Sequence, residues 1–157
     1  MGHVMRCLSL AEILSKADFE IIFISKELDG KNYESIIEKG YKIHIIPENK
    51  QNVNILQHDA LETQKIIKTY EKTFSWILVD HRNIDIEWEK ILRNHVQKII
   101  VIDDLADKKH DCDVLVDQNL YEKMNKRYEN LVPKNCIKLL GPKYALLRSE
   151  FFNLRQK

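Results

Sequence analysis

Short runs rich in β-branched residues, each ending in a polar cluster and alternating with segments of helical periodicity, predict an α/β fold with a mainly parallel sheet. Strands of near-continuous apolar character belong to a sheet covered on both faces, and each parallel crossover calls for a helix. The length of 157 residues fits one domain, expected over residues 1–157. With 44% hydrophobic and 31% charged residues, four Gly and three Pro, the composition is that of a folded chain and not of a linker or collagen.

The elements follow in order. Val4, Cys7, Leu8, Ala11 and Leu14 recur at helical spacing, with Arg6, Glu12 and Lys16 on other faces, so an amphipathic helix is expected from Val4 to Ala17. Residues 20–25 read as a strand, and residues 32–39 as a helical segment closed by Gly40 at its C-terminus. Tyr41 to Ile46 is a strand stopped by Pro47, and Glu48 to Asn54 is a polar loop. Asp59 with Glu62 three residues on has the pattern of a capping box, predicting a helix from there to about Lys72. Ser75–Val79, Lys98–Ile102, Val114–Val116 and Cys136–Leu140 are further strands; Ile86–His95 and the tail Tyr144–Lys157 have helical character. A Rossmann-like sheet opens on a central strand, whereas the first element here is a helix, so the opening strand reads as missing.

Composition also excludes functions. Lys+Arg 25 against Asp+Glu 24 leaves a net charge of +1, which creates no field of one sign for nucleic acid or an anionic membrane. Cys7, Cys112 and Cys136 are odd in number and far apart in sequence, suggesting neither a disulfide framework nor a thiolate zinc site and fitting a reducing, cytoplasmic setting. Glu12 interrupts any signal-peptide core, Arg6 spoils a myristoylation motif, and no apolar run is long enough to span a bilayer. His110-Asp111-Cys112-Asp113 has metal-ligand residue types, but adjacent side chains cannot all turn toward one ion, and no metal or cofactor is expected.

Ligands of open parallel sheets sit at the carboxyl ends of strands, which singles out Asp80-His81-Arg82, Asp103-Asp104 and Asp117-Gln118-Asn119, with Gly2-His3 at the start of the first helix. The plain alternative for any one of these is a turn or cap former. His3, where a helix N-terminus disfavours imidazolium, is the candidate general base; the alternative is a terminal His without a role. Arg6, one turn on, suits a phosphate or solvent equally. Cys7, in the apolar stripe, reads as a buried thiol rather than a nucleophile, and His44, His58 and His95 read as strand, loop and helix-end residues. Asp80 with Asp103-Asp104 has the residue types of a magnesium-binding phosphoacceptor domain, but in the wrong chain order.

Four strings, GHVMRC at 2–7, LVDH at 78–81, IDDLADKKHDCDVLVDQNL at 102–120 and GPKYALLRSEF at 141–151, together resemble the N-terminal domain of the UDP-2,4-diacetamido-2,4,6-trideoxy-β-L-altropyranose hydrolases of pseudaminic acid biosynthesis and their spore-coat polysaccharide relatives. The resemblance implies the N-terminal half of a glycosyltransferase-B-like enzyme that releases UDP and the free sugar without a metal. By the family's G-x-G-H-x-x-R motif it implies His3 as the base that activates water and Arg6 as the motif's arginine, with Asp80, His81 and Asp104 lining the sugar side. The family's D-H-Y-G reads Asp80-His81-Arg82-Asn83 here, so a guanidinium stands in place of a ring. It further implies a UDP-sugar as substrate, a complementing C-terminal domain as partner, and little activity for this chain by itself. A glycosyltransferase half and a non-catalytic Rossmann-like interaction module are the alternatives, since a fold does not fix a reaction.

Overall fold

The computed structural model describes residues 2–26, 33–48 and 54–146. The chain forms two compact units, Met1–Glu48 with Leu146–Lys157, and Asn49–Ala145. The described elements make a mixed α/β structure whose strands are all paired in parallel.

The first unit opens with helix α1, Gly2–Ser15, which buries Leu8 and Ala11 of the expected stripe and leaves Val4, Cys7 and Leu14 half-buried. Asp18, in the left-handed region at φ 62°, ends the turn after the helix, with Phe19 N–H donating to Leu14 O at 3.1 Å. Strand β1, Ile22–Lys26, pairs with β2, Lys42–Ile46, from Ile22 opposite Lys42 to Lys26 opposite Ile46. Between them α2, Glu34–Glu38, stops as expected at Gly40. Gly40 takes φ 79°, its N–H donating to Ile37 O and the Tyr41 N–H reaching Ile36 O, the paired bonds of a Schellman end that only a residue free of Cβ adopts cheaply.

The second unit carries a four-stranded sheet in the order β3 (Phe74–Val79), β4 (Val96–Ile102), β5 (Val114–Asp117), β6 (Ile137–Leu140). Helices α3, Ile55–Lys68, and α4, Ile86–Leu92, contribute Ala60, Ile67, Trp88 and Leu92 to a core shared with Val79, Ile99, Val101 and Leu115. Trp76 on the outer strand β3 is 46% exposed, so the expected cover of both faces is incomplete there.

Two expectations are corrected. Helix α3 starts at Asn54, whose side chain accepts from the Leu56 and Gln57 amides, and not at an Asp59–Glu62 capping box. Asp59 is instead a buried mid-helix carboxylate that accepts from Trp88 Nε1 at 2.6 Å, a tie between α3 and α4. His58 accordingly lies in a helix and not a loop. Second, within the four-stranded sheet only the β3-to-β4 crossover runs through an α-helix. The segments from β4 to β5 and from β5 to β6 cross without an α-helix, because their backbone groups find other partners: the Ile86 amide donates to Lys109 O, His110 to Leu131 O, and Asp111 to the Glu89 carboxylate. Ala106, Leu131, Val132 and the fully buried Tyr128 supply the apolar cover that a helix would have given. The expected tail helix lies outside the described residues beyond a short turn, Pro142–Tyr144.

Trp88→Phe, which keeps an aromatic ring of smaller size but removes the donor to a buried carboxylate, is expected to destabilise the chain by about 1–3 kcal/mol in urea unfolding. A change under about 0.5 kcal/mol would show that the Asp59–Trp88 bond is not structural.

Candidate functional site

In the first unit, His3 and Arg6 share the opening turns of α1, where helical geometry puts residues three apart side by side. The Arg6 guanidinium lies 3.1 Å from His3 Nδ1. A guanidinium only donates, so Nδ1 accepts and the ring hydrogen sits on Nε2. α1 has no acidic residue in its first turn, so its free amides meet no carboxylate of their own turn.

In the second unit the parallel register brings four strand ends to one edge: Val79 lies opposite Val101, Ile102 opposite Val116, and Asp117 opposite Leu140. Asp80 and His81 therefore follow β3 where Asp103 and Asp104 follow β4 and Asp117 ends β5. Asp80 is half-buried and His81 exposed. The Asn83 amide donates to His81 Nδ1 at 3.2 Å, which leaves Nε2 as the ring's donor. Arg82 reaches toward Asp104, with NH2 to Oδ2 3.9 Å, and its carbonyl accepts from Lys108 Nζ. Arg82, which stands where the resemblance called for a ring, thus pairs with a predicted site carboxylate.

A network that the sequence did not reveal stands behind this edge. Asp117, 2% exposed, accepts from Tyr128 OH at 3.0 Å, Arg127 Nε at 3.1 Å and the Asn119 amide at 3.1 Å. Tyr128 OH also lies 3.1 Å from Asp103 O, and Arg127 donates to Asp104 O at 2.6 Å while stacking 3.7 Å from the Tyr121 ring centre. Burial, reinforced by the carboxylates of Asp103 and Asp117, pushes the Tyr128 phenol far above its usual range, so it remains a donor. Asp103 turns its own carboxylate onto the Leu105 and Ala106 amides at 3.0 Å each, holding Ala106 at φ 52°. The loop that presents Asp104 is therefore bonded from both sides. Only Asp117, Asn119 and the Asp103-Asp104 pair of this set had a sequence signal; Arg127 and Tyr128 sit in a polar stretch without periodicity.

The cluster of residues 110–113 disperses to three different partners. His110 Nδ1 donates to Glu89, fully buried on α4, at 2.6 Å; Asp111 and Asp113 flank Arg93 at 3.1 and 2.6 Å; Cys112 meets Cys136. Among the described residues no group of three or more His, Cys, Asp or Glu has the geometry to hold a metal ion. Burial pulls the Asp113 carboxyl upward, but hydrogen bonds from Lys98, Arg93 and the Ile99 amide, with the Arg93 charge, hold it at about 2. His44 lies in β2, and His95, in the turn after α4, sits 2.9 Å from Gln64 Nε2. No helix among the described residues is long and apolar enough to cross a membrane.

Sequence comparison adds to this geometry. Over 152 residues, 96% of the chain, it is 31% identical to the UDP-2,4-diacetamido-2,4,6-trideoxy-beta-L-altropyranose hydrolase of Campylobacter jejuni. The chain is similar to a UDP-sugar hydrolase. It is also 28% identical, over its whole length, to an uncharacterized protein of Methanocaldococcus jannaschii. It spans 48% of the first relative and 30% of the second. No protein-family model matches it.

His110 sets a pH dependence. Burial lowers its pKa, but the Glu89 hydrogen bond and the charges of Glu89 and Asp103 outweigh that and raise it above the ordinary 6.5. The stabilisation from the charged ring is thus complete below about 6.5 and is lost as pH rises through the higher folded value. The urea midpoint is expected to fall as pH rises above about 6.5 in the wild type and to stay flatter in His110→Asn; equal slopes would contradict this assignment.

Proposed function

We propose that the chain supplies the sugar-side half of an enzyme that hydrolyses a UDP-linked diacetamido-trideoxy sugar to UDP and free sugar. The observation that carries this reading is the 31% identity over 96% of the chain to the Campylobacter jejuni hydrolase. The polar edge after β3, β4 and β5 supports it, since carboxylates and an imidazole at strand ends suit the hydroxyl and acetamido groups of a sugar.

In this proposal His3 takes a proton from water as the water oxygen attacks the anomeric carbon. The bond from that carbon to the UDP oxygen breaks, and its electron pair leaves with the diphosphate. With the ring hydrogen on Nε2, the basic lone pair is on Nδ1, the atom that Arg6 faces. Arg6 would leave that nitrogen for the diphosphate when substrate binds, freeing the base and balancing the charge of the leaving group. Asp80, His81 and Asp104 would bind the sugar. A second, nucleotide-binding domain completes the proposed enzyme, and without it turnover is expected to be negligible.

The test is UDP release from the UDP-sugar in ¹⁸O-water, by the chain alone and with the C-terminal half of the Campylobacter jejuni hydrolase added. Label in the sugar and none in UDP is expected of the complemented system. His3→Ala is expected to lower its rate at least about a hundredfold. Undiminished release by His3→Ala, or label in the phosphate, would overturn the reading.

A further inference from the structure

Cys112 and Cys136 are far apart in sequence, yet their sulfur atoms lie 3.6 Å apart. The strand register explains the meeting. Cys112 stands just before β5 and Cys136 just before β6, which pair from Val114 opposite Ile137 onward. The Ile137 amide donates to Asp113 O at 2.9 Å, so the two backbones are already held at neighbouring-strand distance where the thiols project. Both residues are buried in the core of the second unit, whereas Cys7 belongs to the first and is half-buried. A disulfide needs sulfurs about 2.05 Å apart, so closure asks for an approach of about 1.5 Å at two residues that precede their strands.

We propose that Cys112 and Cys136 form a reversible redox pair that a hydroperoxide joins as a disulfide. Cys136 is the attacking sulfur, the more exposed of the two at 8% against 2% for Cys112. With Cys112 as the donor in their contact, the hydrogen bond, the Lys138 charge and the Leu115 amide lower the Cys136 pKa against burial and the Asp113 charge; the same bond, with burial, pushes the Cys112 thiol up. The Cys136 thiolate attacks the outer oxygen of the hydroperoxide, the O–O bond breaks, and the departing alkoxide takes the proton given up by the thiol and leaves as alcohol. The resulting sulfenic acid is attacked by the Cys112 sulfur. The S–O bond then breaks, hydroxide leaves as water with the Cys112 proton, and the S–S bond forms. Two thiols lose two electrons and the hydroperoxide is reduced to alcohol and water.

The bond would close residues 112–136 into a loop holding Asp117, Tyr121, Arg127 and Tyr128, the groups that order the strand-end edge. Oxidation is therefore expected to stiffen that edge from the opposite end of the sheet.

The experiment treats the full chain with a few equivalents of hydrogen peroxide and follows intact mass, tryptic peptides and thermal unfolding. Trypsin cuts between the cysteines at Lys123, Lys126, Arg127 and Lys134, so a bridged pair of peptides is diagnostic. Expected are a loss of about 2 Da, a Cys112–Cys136 linked peptide, a rise in Tm of roughly 5–10 °C, and reversal of all three by dithiothreitol. Cys112→Ser is expected to accumulate Cys136 sulfenic acid, captured by dimedone. If Cys7 alone is oxidised and both other cysteines alkylate as free thiols after unfolding, the proposal fails. The wild-type peptide map decides this even if Cys112→Ser does not fold, and Cys7→Ser removes bridges between chains.

Discussion

A single buried carboxylate organises the strand-end edge of the second unit. Asp117 closes β5 with 2% of its surface exposed, and a carboxylate so placed is tolerable only when its oxygens are bonded. Tyr128, Arg127 and the Asn119 amide supply those bonds. The two side chains then reach on to Asp103 O and Asp104 O, so that satisfying one charge also fixes the neighbouring loop. The requirement for hydrogen bonds at β5 is in this way converted into a defined position for Asp104 after β4. The same solution explains the absence of an α-helix between β5 and β6: the segment that delivers Arg127 and Tyr128 also covers the core with the Tyr128 ring.

Most of the architecture could be read from the chain because it rests on local rules. Apolar runs, Pro47 after β2 and Gly40 after α2 place strands and ends within one to three residues, and the stripe of Leu8 and Ala11 marks the buried face of α1. Where a residue's task is set by a distant partner, local rules misplace it. Asp59 has the spacing of a cap, but the indole of Trp88, 29 residues on, makes it a buried acceptor. The 110–113 tetrad looks like a ligand set, yet its members turn to Glu89, to Arg93 and to Cys136. The two buried cysteines meet only because β5 and β6 are neighbours.

The candidate site divides in the same way. His3 with Arg6, and Asp80-His81 with Asp104, were visible as polar residues at a helix start and at strand ends. What holds them was not: the Arg6 contact that assigns the His3 ring hydrogen, the Asn83 amide that does the same for His81, and the Arg127–Tyr128 pair behind Asp104. Arg82 is instructive, since the residue where the resemblance called for a ring places a cation 3.9 Å from the Asp104 carboxylate. That pairing offsets part of the Asp104 charge at this edge.

The claim that Asp117 orders the neighbouring loop through Arg127 and Tyr128 is tested most directly by hydrogen exchange in Arg127→Met beside the wild type. The Leu105 and Ala106 amides, bonded to Asp103 in the loop, are expected to exchange at least about tenfold faster in the variant, while the Ile99 and Val101 amides in β4 keep their protection. Unchanged exchange at Leu105 and Ala106 would contradict the account, because the loop would then hold its shape without the Asp117 network.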